Sequence, residues 1–189
     1  HLMTSHRVII LGAGRPSSGT EPSALQRVSG DRRVLDWLTD AFENSLEEPE
    51  IHFVGGYRME DVFEEYPAIH FSRNEDWERT GTVGSLLSAP IDDTLPTLIC
   101  YADIVFQPGI VADLLEADAE VAVAVDEGWA TRYRSRSRES LERAEKVIYE
   151  NNHADRIATD IDPEIADAEF TGLVYVSPSA IGFLTDLID

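Results

Sequence analysis

The sequence predicts an α/β protein built around a mainly parallel sheet with helices on both faces. Apolar runs rich in β-branched residues alternate with stretches of helical spacing, an order typical of parallel sheets. The runs are nearly continuous, which indicates strands that are buried on both faces. Glycines and acidic residues follow several of the runs, at the edge of a parallel sheet where ligands bind. At 189 residues the chain is long enough for one domain with a substantial core.

The apolar runs give the predicted strands of this sheet: Val8–Leu11, Ile51–Val54, Ala68–Phe71, Thr97–Tyr101 and Val121–Val125. Helices are predicted between and after them, over residues 34–42, 59–65, 83–89, 109–116 and 178–187. Asp31 is the expected N-cap of the first helix, because its short carboxylate can accept from a free backbone N–H. Lys146–Tyr149 and Phe170–Val176 are predicted to form a small antiparallel layer.

The loop after the first strand has the composition of a polyphosphate site. Residues 12–22 contain three glycines, two prolines, three hydroxyl residues and Arg15. Glycines let backbone N–H groups approach an anion closely, and a guanidinium can bind two phosphate oxygens at once. The dinucleotide fingerprint is absent because Ser17 replaces its third glycine, and a Walker loop is absent because Thr20-Glu21 follows Gly19. An ordinary glycine- and proline-rich surface turn is the alternative.

The charge of the chain limits its partners. With 36 acidic against 15 basic residues the net charge is −21, which repels nucleic acid and anionic membranes, so neither is an expected partner. No apolar run approaches the ~20 residues of a membrane span, and no signal peptide is recognisable. The single cysteine, Cys100, excludes an internal disulfide. We therefore expect a cytoplasmic protein whose residues 1–3 are an expression remnant.

One segment departs from the acidic composition. Residues 132–146 hold five arginines and the one lysine of the chain against three glutamates, a local charge of +3. Such a cluster can be a solvated loop or a receptor for a small anion.

The loop resembles the signature of the nucleotidyltransferases that activate sugars and choline-like alcohols. Leu11-Gly12-Ala13-Gly14-Arg15 matches the beginning of that signature, and Glu21-Pro22-Ser23-Ala24-Leu25 matches its Pro-Lys-x-Leu end. Ser23 stands where the family has a lysine, so the resemblance implies that Arg15 carries more of the phosphate binding.

The resemblance also implies where the nucleotide and the metal bind. Asp103, after the fourth strand, would hold Mg²⁺ against phosphate oxygens, and a turn or helix cap is its alternative role. A second metal carboxylate is expected beyond the end of this chain, since Asp186 and Asp189 match by position only. The predicted nucleotide-binding residues are Leu11, Gly12, Ala13, Gly14, Arg15, Gly56, Tyr57, Thr82 and Ser85. Helix capping explains Thr82 equally well.

The stretch from Asp126 to Arg136 resembles the Asp-x-x-Trp-x-x-x-Trp/Tyr-x-x-Arg run of cytidylyltransferases that act on phosphocholine and on phosphonates. Trp129 and Tyr133 would then line the acceptor site. Alternatively, they form the apolar stripe by which one helix packs on the core. Lys146 matches the family lysine that contacts the acceptor phosphate, with an ordinary surface lysine as the alternative. The predicted substrate-binding residues are Asp126, Trp129, Arg132, Tyr133, Arg136, Lys146, Glu169 and Gly172, of which Gly172 could instead mark a β-bulge.

Together these motifs run from residue 7 to about residue 183 and imply a Rossmann-like fold of the nucleotide-diphospho-sugar transferase type. They are most similar to the cytidylyltransferase domain that precedes a phosphoenolpyruvate mutase domain in bifunctional phosphonate enzymes, including the version found in fosfomycin biosynthesis. Residues 4–189 would be the N-terminal part of such a chain.

The implied activity is Mg²⁺-dependent transfer of CMP from CTP to a small phosphonate, 2-hydroxyethylphosphonate, with catalytic roles for Arg15, Asp103 and Lys146. Phosphocholine or another phosphorylated alcohol is the alternative acceptor. A non-catalytic nucleotide-sensing domain is the alternative from another class, prompted by Ser23 and by the missing second carboxylate.

Overall fold

The computed structural model describes residues 5–133 and 137–188. Within them the chain forms two compact units, residues up to 122 together with those from 174 onward, and residues 123–173. The elements in chain order are β1 (Arg7–Gly12), a 3-10 turn (Ser23–Leu25), β2 (Arg27–Ser29), β3 (Arg32–Arg33), α1 (Val34–Ser45), β4 (Glu50–Gly55), α2 (Met59–Glu65), β5 (His70–Arg73), α3 (Thr82–Leu87), β6 (Thr97–Tyr101), α4 (Gly109–Glu116), β7 (Val121–Asp126), α5 (Trp129–Tyr133), α6 (Arg138–Arg143), β8 (Lys146–Glu150), β9 (His153–Ala158), β10 (Ala168–Val176) and α7 (Pro178–Ile188).

The first unit is built on a parallel sheet in the order β5-β4-β1-β6. Val8, Ile9 and Ile10 of β1 have no exposed surface. Since successive residues of a strand point to opposite faces, both faces of this sheet are covered. On one face, Ile9 packs in a cluster with Leu86 of α3. The predicted α/β architecture, with a mainly parallel sheet and helices, is confirmed.

Helix α1 buries the predicted apolar stripe, which runs through Val34, Leu35, Leu38, Ala41 and Phe42. The prediction that Asp31 caps this helix is wrong. Asp31 lies in the turn between β2 and β3, and the carboxylate of Asp36 accepts from the backbone N–H of Arg33 at 2.9 Å instead. The turn of the short β2–β3 hairpin therefore occupies the position of the predicted cap, while α1 begins at Val34 as predicted.

Several boundaries agree with the sequence and some move. β6, α2 and α4 have the predicted bounds. β5 begins at His70 rather than Ala68, because residues 66–69 form a turn in which the N–H of Ile69 donates to the carbonyl of Tyr66 at 3.2 Å. No helix among the residues described here combines the length and the apolar composition needed to cross a bilayer.

The second unit contains the predicted antiparallel strands. β8 pairs antiparallel with β9 and with the first residues of β10. β9 was not predicted, because nearly all of its residues are exposed and so carry no apolar pattern. β7 and β10 pair with each other, and each strand passes along the chain from one unit into the other.

Candidate active site

In the first unit, the loop after β1 begins with two glycines in different surroundings. A Cβ on Gly12 would stand 2.3 Å from Cζ of Phe53 and 2.9 Å from Cβ of Ala102. Gly12 is therefore required for packing between β1 and its neighbours. A Cβ on Gly14 would meet nothing within 4 Å. Gly14 is exposed, so its backbone is open to a ligand.

Residues after β4 hold this loop in two places. The backbone N–H of Tyr57 donates to the carbonyl of Ala13 at 2.8 Å. The hydroxyl of Tyr57 and Nη1 of Arg58 both donate to the carbonyl of Thr20, each at 2.8 Å. The predicted nucleotide residue Tyr57 thus lies against the loop and fixes its conformation.

The guanidinium of Arg15 contacts two aromatic rings at this loop. Its guanidinium carbon lies 5.0 Å from the ring centroid of Tyr57 and 5.3 Å from that of Trp77, and the two rings meet edge to face at 5.7 Å. The side chain remains 65% exposed, and its Nη2 is 3.7 Å from Oε1 of Glu78. A guanidinium held in this way can still donate to phosphate oxygens.

An open cavity of about 450 Å³ adjoins the far end of the loop, lined by residues 18–21 with Gln26 and Arg27. The amide of Gln26 donates to the carbonyls of Ser18 and Glu21, at 3.3 and 3.1 Å. This volume is in the usual range for small-molecule sites.

Asp103 lies at the same edge of the sheet as the loop. β6 pairs with β1 so that Tyr101 is opposite Leu11, and Asp103 follows two residues later on the surface. Among the described residues no three His, Cys, Asp or Glu side chains are grouped to hold a metal. A magnesium site made of one or two carboxylates and substrate phosphates needs no such group, so Asp103 fits as one ligand. Asp186 is exposed on α7, and Asp189 lies outside the described residues.

The two predicted residues of α3 have different surroundings. Thr82 is exposed and is the first residue of α3; the N-cap is Gly81, so the capping alternative for Thr82 is wrong. Ser85 is buried, and its hydroxyl accepts from the amide of Asn74 at 3.1 Å. The structure therefore gives Ser85 a place in an internal network, and its contact with a nucleotide stays a prediction.

In the second unit, Asp126 is held at the start of α5. One of its carboxylate oxygens accepts from the N–H of Gly128 and from Nη2 of Arg132, each at 3.0 Å. Arg132 is 71% exposed at its side chain. The structure thus brings together two of the predicted substrate-binding residues, Asp126 and Arg132, with Asp126 orienting the short helix.

Trp129 is 2% exposed and packs in a cluster with Leu141, Ala144 and Ala166. This placement agrees with the core alternative, and contact with an acceptor stays a prediction. Tyr133 is the last residue of α5, and the structure describes its backbone only. Arg136 lies outside the described residues.

Lys146 has no exposed surface. Its Nζ donates to the carbonyls of Leu141, Ala144 and Glu142, at 2.9, 2.9 and 3.4 Å. An ammonium has three N–H donors, so these carbonyls, at the C-terminus of α6, account for all of them. The surface alternative is wrong for Lys146, and the predicted acceptor contact would require Nζ to exchange a carbonyl for a phosphate oxygen.

A cavity of about 350 Å³ lies in the second unit beside Lys146 and residues 159–163. Its lining includes the carboxyl residues Glu142, Asp160 and Asp162. Nearby in the sheet, Glu169 is paired in register with Lys146 across β10 and β8. Gly172 has a φ of +89°, a conformation that favours glycine and that explains this residue without a ligand.

Sequence reasoning missed Trp77, Arg58 and Asn74. Asn74 is 3% exposed and donates to both Thr80, at 2.9 Å, and Ser85. The signal that could have found Trp77 is a large aromatic residue inside an otherwise polar loop, where a core role is improbable.

The sequence matches no protein-family model. It is 28% identical over 159 residues to a CTP:phosphoglutamine cytidylyltransferase from Campylobacter jejuni, and the match covers 77% of this chain. The chain spans 62% of the length of that relative.

Two solved structures are similar over nearly the whole chain. The inositol-1-phosphate CTP transferase from T. maritima superposes with a TM-score of 0.67 at 20% identity, covering 94% of this chain and 72% of that protein. A CTP:phosphocholine cytidylyltransferase from Streptococcus pneumoniae gives a TM-score of 0.63 at 16% identity, covering 97% and 76%. The fold is of the nucleotide-diphospho-sugar transferase type.

Proposed function

We propose that the protein is a cytidylyltransferase that transfers CMP from CTP to a small phosphonate, 2-hydroxyethylphosphonate, and releases pyrophosphate. The observation that carries this proposal is the loop after β1, with the exposed guanidinium of Arg15 at the same sheet edge as Asp103. The similarity to a cytidylyltransferase from C. jejuni supports the choice of CTP.

The proposed reaction needs little covalent chemistry from the protein. An anionic oxygen of the phosphonate attacks the α-phosphorus of CTP, and the bond to the bridging oxygen of the pyrophosphate breaks. No general base is required, because the attacking oxygen carries no proton at neutral pH. The protein must orient two anions and stabilise the charge that develops on pyrophosphate.

In this proposal the first unit binds CTP. Backbone N–H groups near Gly14 and the guanidinium of Arg15 would receive the β- and γ-phosphates, and Thr82 would lie near the base. Asp103 would hold Mg²⁺, which supplies positive charge against the phosphate oxygens when bound. The acceptor would bind in the second unit through Arg132 and Arg136, with Lys146 at its phosphoryl group.

The second candidate function is transfer of CMP to phosphocholine or another phosphorylated alcohol. Glu142, Asp160 and Asp162 line the cavity beside Lys146, and such acidic walls favour an acceptor whose far end is cationic or neutral rather than a compact dianion. The relatives named above act on phosphoglutamine, inositol-1-phosphate and phosphocholine. A non-catalytic nucleotide sensor remains the candidate from another class. We further propose that these residues are one part of a longer chain, fused to a phosphoenolpyruvate mutase domain.

Pyrophosphate release tests these candidates together. The protein is incubated with CTP and Mg²⁺ and with one acceptor at a time: 2-hydroxyethylphosphonate, phosphocholine, phosphoglutamine or inositol 1-phosphate. The proposal expects the highest kcat/KM with 2-hydroxyethylphosphonate. Preference for one of the phosphorylated acceptors over the phosphonate would contradict the choice of 2-hydroxyethylphosphonate, with phosphocholine or inositol 1-phosphate favouring the second candidate. CTP binding without release for any acceptor would favour the sensor.

A further inference from the structure

We infer that Trp77 is a positioning residue for Arg15, holding its guanidinium where it meets the phosphates of the nucleotide. This inference rests on the proposed function, because it concerns how the proposed CTP site is built. Trp77 belongs to none of the motifs that the sequence resemblance covers, and its role comes from the geometry around Arg15.

Arg15 needs an external support. Its side chain is long and mostly exposed, so an unsupported guanidinium would sample many rotamers before a phosphate could bind. The ion pair with Glu78 is a weak restraint, because both side chains are about two-thirds exposed and their closest charged atoms are 3.7 Å apart. The rings of Tyr57 and Trp77 supply the other contacts, since a guanidinium within about 6 Å of a ring centroid is attracted by the π electrons of the ring.

Trp77 itself is held firmly enough to act as a support. The backbone N–H of Trp77 donates to the carbonyl of Asn74 at 3.3 Å, and the backbone N–H of buried Asn74 donates to the carbonyl of Gly55 at 2.8 Å. A Cβ on Gly56 would stand 2.6 Å from Cγ of Trp77 and 2.8 Å from the carbonyl oxygen of Ala13. The indole ring therefore packs against Gly56, which precedes the residue that anchors the loop, Tyr57. The position of the ring is thereby coupled to that of Arg15.

The expected consequence is that Trp77 affects CTP only through Arg15. In this inference the indole acts on CTP through Arg15, and not through the loop backbone near Gly14 or the carboxylate of Asp103, and the acceptor has no contact with it in the proposal. Loss of the ring should weaken CTP binding, and the loss should vanish once Arg15 has been removed.

The test is a double-mutant cycle on the CTP dissociation constant, measured by calorimetry with Mg²⁺ present. The variants are Trp77→Leu, Trp77→Phe, Arg15→Ala and the combination Trp77→Leu/Arg15→Ala. We expect Trp77→Leu to weaken CTP binding about fivefold and Trp77→Phe to retain most of the affinity. In the Arg15→Ala background, Trp77→Leu should add less than about a twofold further loss.

Trp37 provides a matched control, because its ring also contacts an arginine, with 4.1 Å between the guanidinium carbon of Arg32 and the ring centroid, and neither residue belongs to the proposed CTP site. Trp37→Leu should leave CTP affinity unchanged. Equal losses for Trp77→Leu with and without Arg15 would overturn the inference, since they would indicate direct contact with the nucleotide or a general effect on the fold. CTP binding is measured separately from turnover. If the cycle shows the expected interaction between Trp77 and Arg15 but no acceptor gives pyrophosphate release, only the proposed function is contradicted. If the wild-type protein does not bind CTP, both the inference and the proposed function are contradicted.

Discussion

Gly12 ends β1 and Gly14 lies in the loop that follows, and the two glycines should respond differently to the same substitution. Gly12→Ala forces a methyl group against Phe53 and Ala102, so we expect it to lower the free energy of unfolding by about 1–3 kcal/mol. Gly14→Ala places its methyl in open space, so stability should stay within about 0.5 kcal/mol of wild type. Urea denaturation measures both values.

For Gly14→Ala the informative measurement is CTP affinity. If backbone N–H groups at this position approach the phosphates, the added methyl should weaken CTP binding while stability is kept. An unchanged dissociation constant would show that the triphosphate does not lie against this part of the loop.

Lys146 is expected to contribute to the stability of the fold, whether or not it also contacts the acceptor. Lys146→Met keeps the aliphatic stem but leaves three carbonyls at the end of α6 without their donor, so we expect a loss of about 1–3 kcal/mol in the free energy of unfolding. Arg138→Met is the control, because the Arg138 side chain is 92% exposed and its ion pair with Glu142 lies on the surface. A Lys146→Met variant as stable as the control, with raised acceptor KM, would instead favour a purely acceptor-binding role.

These residues show what the sequence can and cannot supply at this scale. The position of Arg15, Asp103 and Gly14 at an exposed sheet edge could be predicted from their place after apolar strands, where parallel sheets expose loops. Their contacts with a nucleotide and a metal stay predictions. For Trp129, Ser85 and Lys146 the residue type was equally compatible with a binding site and with the interior. Side-chain direction is decided by packing partners distant in sequence, such as Asn74 for Ser85, and no local pattern encodes it.

At the scale of elements, burial decided what could be predicted. β1, β6 and α1 carry continuous or periodic apolar residues; β6 has the predicted bounds, and β1 and α1 are longer than predicted by two and three residues. β9 and the β2–β3 hairpin are mostly exposed, so their residues are under no packing constraint that a pattern could reveal. The cap of α1 was assigned to the wrong residue because turn residues around Gly30 favour a hairpin as readily as a helix cap.

The segment between α3 and β6 gives a pH-dependent contribution to stability. Hydrogen bonds from the hydroxyl and the backbone N–H of Thr94, and then from Arg7 of β1, lower the pKa of Asp92 to about 2. Because the folded pKa lies below its ordinary value of 3.8, this contribution is complete above pH 3.8 and is lost as the pH falls toward 2.

Asp92→Asn should therefore reduce the urea midpoint at pH 6, and the difference from wild type should shrink between about pH 4 and pH 2. Asp93→Asn is the neighbouring control and should show a smaller difference at pH 6. A difference between wild type and Asp92→Asn that stays constant down to pH 2 would contradict the role of the carboxylate charge.

For the molecule as a whole, the proposed function predicts that binding of CTP raises the thermal stability of the protein. A ligand at 100 times its dissociation constant stabilises a folded protein by about 2.7 kcal/mol, which for a chain of this size corresponds to a Tm increase of roughly 5–10 °C. CTP with Mg²⁺ should give such an increase, and ATP or UTP at the same concentration should give less. Arg15→Ala should lose most of the shift, and an equal shift with ATP would contradict the assignment of CTP.

A net charge of −21 makes the location of that nucleotide the central question, since an anion can bind this protein only where local donors outweigh the overall field. The most direct measurement is a crystal structure with CTP and Mg²⁺. Our account predicts the triphosphate against Gly12–Arg15, with the guanidinium of Arg15 on phosphate oxygens and Asp103 facing the metal. A nucleotide bound elsewhere, with Asp103 turned away from the metal, would contradict it.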